Sequence, residues 1–420
     1  MGSRALDPCM KAVQYIKSVP RYLFVRTLGH RRPGPATGAL SCIRMADVDP
    51  PALPTPEWMR VRPLLSGICG SDLSTIRAKG SPYFSPMISA PFVLGHEVVG
   101  EVEETGSAAG SVSRGDRVVI EPGLCCAVRG IHPPCPSCAA GDFGLCEMVM
   151  HGDISPGIQT GYCRDTGGGW STSLVAHPFQ VHRVPDRLSD EEAVLVEPFS
   201  CCLHAVLKSF PGDEETILVI GCGAVGLLTI AAVRALGGKC RILAAARYPH
   251  QQTLAAALGA DRVIGRGEDL YDTVSEVTGA EIHRPEIGRP VFIGGVHRTF
   301  DCVGSSRTID DALRLTGSGG AVTVVGMPGI PSGIDWTAVW YKELKVQGAY
   351  AYGTEKHEGR SVRTFDLAME LIASGKVGLK PLVTDLFPLK EYRKAIGRAL
   401  EAGRHGAVKV AFDLRNEPGP

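Results

Sequence analysis

The chain has 420 residues, 44% of them hydrophobic, and its 44 Lys and Arg balance 44 Asp and Glu to a formal net charge of zero. That length suits two domains of ordinary globular composition. The balanced charge argues against nucleic acid or an anionic membrane as partner, since both call for a basic surface. Fourteen cysteines in so long a chain do not read as a disulfide framework. Lys11, Lys17, Arg21 and Arg26 interrupt the N-terminal apolar residues, so no secretory leader is legible. A cytoplasmic location is expected, where clustered thiols bind metal more often than they cross-link.

Residues 1–9 read as a disordered tail, and a strand-like run follows at 12–16. Residues 31–56, rich in Pro and Gly, read as loop with one short strand. From 57 to 185, short β-type runs at 59–63, 92–102, 117–120 and 174–184 alternate with turn residues, predicting a mostly β region with long loops. This region carries two clusters of metal-ligating residue types. The first joins Cys69-Gly70-Ser71-Asp72 to Gly95-His96-Glu97. A thiolate and an imidazole suit zinc, Ser71 is placed to carry a proton from a bound oxygen, and Asp72 is placed to orient His96 through its free ring N–H. The second is Cys135, Cys138 and Cys146, three thiols at short spacings that predict a closed structural zinc site. Its fourth ligand is open among Cys126, Cys125 and His132, with Cys126 favoured.

Near residue 190 the pattern changes. Glu197-Pro198 opens a helical stretch with His204, and by itself Glu197 is as readily a helix-starting acid as a ligand. Strands at 216–220, 240–244, 262–264, 299–303, 321–325 and 344–348 then alternate with helices, notably 225–236 and 253–258. That alternation predicts a doubly wound parallel sheet. The apolar run 217–233 is broken by Gly221, Gly223 and Gly226 and reads as strand, turn and helix, not as a membrane span. Within it, Gly221-Cys222-Gly223-Ala224-Val225-Gly226 follows a β-branched strand and opens a helix, the context in which such a turn cradles a dinucleotide pyrophosphate. NAD-binding turns carry an acid about 20 residues on, bonded to the adenosine ribose. Here Ala246 and Arg247 stand there, and no carboxylate occurs between Gly223 and Asp261. The repulsion that excludes a ribose phosphate is absent and Arg247 can pair with one, His250 helping, so NADP is expected, with NAD as the alternative. Residues 280–297, with Pro285 and Pro290, read as a surface insertion. Helices at 363–374 and 390–402 and a strand at 406–412 close the chain.

These motifs, in this order, resemble the zinc-containing medium-chain dehydrogenase/reductase superfamily over residues 10–414. Glu197 is similar to the acid that sorbitol, threonine and glucose dehydrogenases carry where liver-type alcohol dehydrogenases have a cysteine. The resemblance implies Cys69, His96 and Glu197 around a catalytic zinc, Glu97 as a fourth, exchangeable ligand, and Ser71 as proton relay. It implies an α/β protein in which a split, mostly β GroES-like catalytic domain (1–195 and 352–420) encloses a Rossmann domain (196–351). It also implies a homodimer or homotetramer and hydride transfer between an alcohol, polyol or sugar carbinol and the nicotinamide. Zinc-free enone or quinone reduction, the rival on the same fold, predicts loss of Cys69 and His96. A non-catalytic nucleotide-binding protein predicts degraded zinc ligands. Neither loss is present. Substrate choice is expected to lie in the loops 79–90 and 152–170.

Overall fold

The computed structural model describes residues 9–28 and 34–419. The expected tail at 1–9 therefore lies outside the described residues, apart from Cys9, as do residues 31–33.

The expected parallel sheet is present as six strands ordered Arg262–Ile264, Arg241–Ala245, Thr216–Ile220, Val296–Asp301, Thr316–Val324 and Lys345–Gly348. Every neighbouring pair is parallel. The central strand shows why an unbroken apolar run works here. Ile217 and Val219 point into one core with Leu227, Ile230 and Ala231 of the helix Ala224–Ala235. Leu218 and Ile220 point into another with Ile309 and Leu313 of the helix Ser306–Leu315. Both faces are covered, so polar alternation is not needed. The strand order reverses beside Thr216–Ile220, which opens a crevice at its carboxyl end, where ligands of such sheets bind.

A second sheet of seven strands is mostly antiparallel. Its centre is Met59–Gly67, which pairs with Val98–Thr105 on one side and with Lys409–Asp413 on the other, Ala411 opposite Gly67. Strands from both ends of the chain thus share one sheet, with the parallel sheet inserted between them in sequence. A three-stranded sheet of Met10–Tyr15, Ile43–Val48 and Phe92–Val93 lies alongside.

Several expectations change in detail. The run 92–102 is broken: Phe92–Val93 joins the small sheet, Val98–Thr105 joins the large one, and the residues between them form the loop that bears His96 and Glu97. The run 174–184 is interrupted by a 3-10 turn at Pro178–Gln180, since proline cannot donate to a ladder. The stretch 280–297 is a hairpin, Glu281–His283 against Val291–Ile293, with Phe292 buried between two exposed neighbours and Arg289 paired to Asp310 and Asp311. A helix at Val19–Leu28 follows the first strand, with Pro20 in its first turn, where proline costs no hydrogen bond. The hairpin of Thr354–His357 with Arg360–Arg363 was not legible.

Candidate functional site

Cys69 caps the helix Gly70–Ile76, and its backbone N–H donates to Asp72 Oδ2 at 3.0 Å. Asp72 is fully buried, and its Oδ1 faces His96 Nδ1 at 3.4 Å, neither atom having another hydrogen-bond partner. A proton on Nδ1 leaves Nε2 for the other side of the ring, where Ser71 Oγ lies 3.5 Å away. Burial works against a charged imidazole here, yet the neighbouring Asp72 and Cys69 hold His96 well above the usual histidine range.

The approach of His96 depends on two glycines. Gly95 has φ +97°, and a Cβ on it would fall 2.3 Å from Trp170 Cδ1. A Cβ on Gly67 would fall 1.8 Å from Glu97 Oε2. Trp170 closes this packing by donating from Nε1 to the Gly67 carbonyl at 3.1 Å. Behind His96 stands Tyr162, whose hydroxyl pairs with Thr75 Oγ1 at 3.0 Å, so the 152–170 loop does reach the pocket.

The Cys69 thiol, a His96 nitrogen and a Glu97 oxygen lie within 4.8 Å of one another. Glu97 is also held from behind: both its oxygens accept from Lys409 Nζ, at 2.6 and 2.7 Å, and both residues are buried. Lys409 was not anticipated; its one signal was a lone cation inside an apolar closing strand. Glu197, in the first turn of the helix Val196–Lys208, lies outside that compact set. Its Oε1 accepts from the Tyr352 hydroxyl at 3.3 Å and the Cys201 thiol at 3.7 Å. Burial, reinforced by Glu97 and opposed by His96 and Lys409, pushes its carboxyl up to about 7. Tyr352 and Cys201 also went unread, because nothing local marks them.

A second set joins Cys126, Cys135, Cys138 and Cys146 within the same 4.8 Å limit. Cys125 and His132, the other candidates for the first position, are not in it. Cys126 Sγ lies 3.7 Å from Cys146 Sγ and accepts the Cys135 N–H at 3.3 Å. Burial opposes a thiolate at Cys135, but N–H groups of Glu147 and Cys138 outweigh it and bring that thiol down to about 7. Burial drives Cys146 up to about 12 and Cys138 further up. Four thiols this close shed their protons together only around a dication, and their sulfurs suit tetrahedral zinc.

At the carboxyl end of Thr216–Ile220 the glycine turn has three distinct jobs. Gly221 takes φ +91°, and a Cβ on Gly226 would fall 1.9 Å from the Gly221 carbonyl oxygen. Gly223 caps the helix with open space beside it and no side-chain cap, so the N–H groups of the first turn, from Ala224 and Val225 on, are left for a ligand. At the end of the next strand Ala246 is buried and Arg247 is exposed, its guanidinium 5.5 Å from the Tyr248 ring centre. Asp261, the next acid, is drawn to the opposite end of that strand by the Ile242 N–H and Arg234.

Residues 55–186 match the model of an alcohol dehydrogenase GroES-like domain, and residues 224–373 that of a zinc-binding dehydrogenase. An L-idonate 5-dehydrogenase from Vitis vinifera is 32% identical over 378 residues, covering 89% of this chain and 93% of the relative. A sorbitol dehydrogenase from Arabidopsis thaliana has the same identity over the same shares. Among solved structures, a protein from Sinorhizobium meliloti 1021 described as a zinc-binding dehydrogenase, bound to NADP, superposes with a TM-score of 0.71 at 24% identity, covering 96% of this chain and 99% of its own. With the ligand sets, the glycine turn and these likenesses together, the chain belongs to the zinc-containing medium-chain dehydrogenase/reductase family.

Proposed function

We propose that this dehydrogenase interconverts a polyol, or a related sugar-derived alcohol, and its carbonyl with NADP. The observation that carries the reading is the gathering of Cys69, His96 and Glu97 from separate segments into one buried set. Zinc held there would polarise the substrate oxygen and ease loss of its proton. Cys69 and His96 are its first two ligands in this reading. Glu97 is within reach while tied to Lys409, and Glu197 faces the set from the adjoining helix. Ser71 is the hydroxyl placed to take the substrate proton outward. The glycine turn holds the pyrophosphate, and nicotinamide supplies or accepts the hydride. The four-cysteine set would hold a structural zinc. A zinc-free reductase would have no use for a buried thiol, imidazole and carboxylate held together.

The choice of polyol follows the sorbitol and idonate dehydrogenases among the relatives. The choice of NADP rests on Arg247 without an acid beside it, and an NADP complex of a structural neighbour is consistent with it. The split domains are proposed as 1–195 with 352–420, around 196–351. The outer edge of Lys345–Gly348 is open, and Trp336, Trp340 and Tyr341 are exposed nearby, which supports a homodimer formed on that edge. All cysteines are free and no described helix is long and apolar enough to cross a membrane; we place the protein in the cytoplasm on the first of these.

The test is a screen of alcohols, polyols and sugar acids with both cofactors, in wild type and Arg247→Ala. The expected result is polyol oxidation with NADP preferred, and a kcat/KM ratio of NADP to NAD that falls roughly tenfold or more in the variant. A wild-type preference for NAD, or a ratio unmoved by the substitution, would defeat the cofactor assignment. No turnover of any polyol would defeat the substrate class.

A further inference from the structure

The loop that follows the second strand of the parallel sheet does not stand alone. Tyr248, next to Arg247, caps the helix Pro249–Ala257, and three things meet on its ring. Arg247 lies over it at 5.5 Å, and His250 stacks on it at 6.0 Å with 25° between the planes. The third neighbour comes from far along the chain. Gly403, in the short helix Ala402–His405, runs so close that a Cβ there would fall 2.1 Å from Tyr248 Cε2, 2.5 Å from Cδ2 and 2.7 Å from Cζ. That helix immediately precedes the strand Lys409–Asp413, which belongs to the other sheet. The backbone of Gly403 therefore seats the tyrosine ring, and the ring supports both the guanidinium and an imidazole whose Nε2 is buried without a partner. Elsewhere in the loop Gln252 donates to the Ala246 carbonyl at 3.1 Å, and the Ala246 N–H donates to the Ile264 carbonyl at 2.9 Å.

We propose that Gly403 and Tyr248 are positioning residues for cofactor discrimination: a bare glycine in the C-terminal segment seats Tyr248, and Tyr248 sets where Arg247 and His250 meet the adenosine end of the nucleotide. The physical reason is steric. A methyl group at 403 cannot coexist with the ring where it stands, so the ring must swing away, and the cation leaning on it loses its support. A guanidinium that grips a phosphate through two parallel hydrogen bonds tolerates little misplacement. Gly403, acting through the Tyr248 ring, would thus bear on which cofactor is held. The proposal rests on the reading that Arg247 faces a ribose phosphate.

The variant is well suited to a test because Gly403 sits in a helix with an ordinary negative backbone angle, where alanine is favoured over glycine. Gly403→Ala should fold with wild-type thermal stability and zinc content. Dissociation constants for NADP and NAD are measured by titration in wild type, Gly403→Ala, Tyr248→Ala, the double variant and Arg247→Ala. Gly403→Ala is expected to weaken NADP by roughly tenfold while NAD changes little, a loss of the size of one charge-assisted bond. kcat at saturating NADP should stay near wild type as KM rises. In the double variant the added methyl meets no ring, so its effect should vanish beside that of Tyr248→Ala. Equal weakening of both cofactors, an unchanged ratio, or effects that simply add would overturn the seat. The two readings separate cleanly. If Arg247→Ala leaves the cofactor ratio alone, the phosphate assignment fails, whereas the seat is judged on the coupling between positions 403 and 248.

Discussion

His182 sits where three parts of the chain meet, and it makes a sharp prediction about pH. Its Nε2 lies 2.9 Å from Glu121 Oε2 and its Nδ1 lies 2.8 Å from Asp366 Oδ1. With a carboxylate oxygen against each ring nitrogen, the geometry favours a ring that donates from both and carries a charge. Arg363 donates to the same Glu121 oxygen at 2.6 Å, and Phe365 stacks on the imidazole at 5.2 Å. Burial works against the charge, but Asp366 and Glu121 outweigh it and raise the histidine above its ordinary value. Asp366 lies in the first turn of the helix Thr364–Ala373, which packs on the helix that bears Glu197. In His182→Phe the buried Glu121 loses one partner, and breaking a buried pair costs about 3–5 kcal/mol. Arg363 stays on Glu121, so the lower end applies. The Asp366 arm, whose side chain is half exposed, adds well under about 1 kcal/mol after screening by solvent. A loss of about 3 kcal/mol is expected. The sign follows from the raised native value. The stabilisation is complete below the unfolded histidine value of about 6.5 and disappears as pH rises through the native one. Urea unfolding of wild type and His182→Phe, on the acidic side of neutrality and in alkaline buffer, should show a gap that narrows towards alkali. An equal gap at both would show that His182 is neutral in the native protein, and the argument would fail.

Two further substitutions test the metal sets separately. Cys146→Ser should cost the protein one of two zinc ions and lower its thermal stability, because a structural zinc contributes directly to folding; metal analysis and melting read this, and an unchanged zinc content would refute the four-cysteine site. Cys69→Ala should give a folded protein that still binds nucleotide and turns over no alcohol, since its thiol belongs to the other set; activity near wild type would sink the zinc mechanism.

Much of this was legible because the signals are local. The parallel sheet followed from apolar runs spaced by helices, and the glycine turn from a strand that ends in Gly221. The cluster of Cys135, Cys138 and Cys146 followed from spacings short enough to bring three thiols to one metal. Cys69 and His96 read together as zinc-suited ligand types, and family likeness adds Glu197 and Glu97 to them. What local pattern cannot carry is the meeting of residues 155 or more positions apart. Lys409 grips Glu97, Tyr352 reaches Glu197, and Gly403 seats Tyr248, because the last strands return to pair with Met59–Gly67 and bring the C-terminal segment against both sites. The sequence favours Cys126 over Cys125 without deciding between them: both thiols are buried, and the folded loop brings Cys126 to the other three. Glycines tell the same division of labour. Composition showed them as turns, but that Gly67 and Gly95 exist to let Glu97 and Trp170 approach is a fact about side chains packed from elsewhere. Sequence determined which chemistry the chain contains; the return of its C-terminus determined how that chemistry is held.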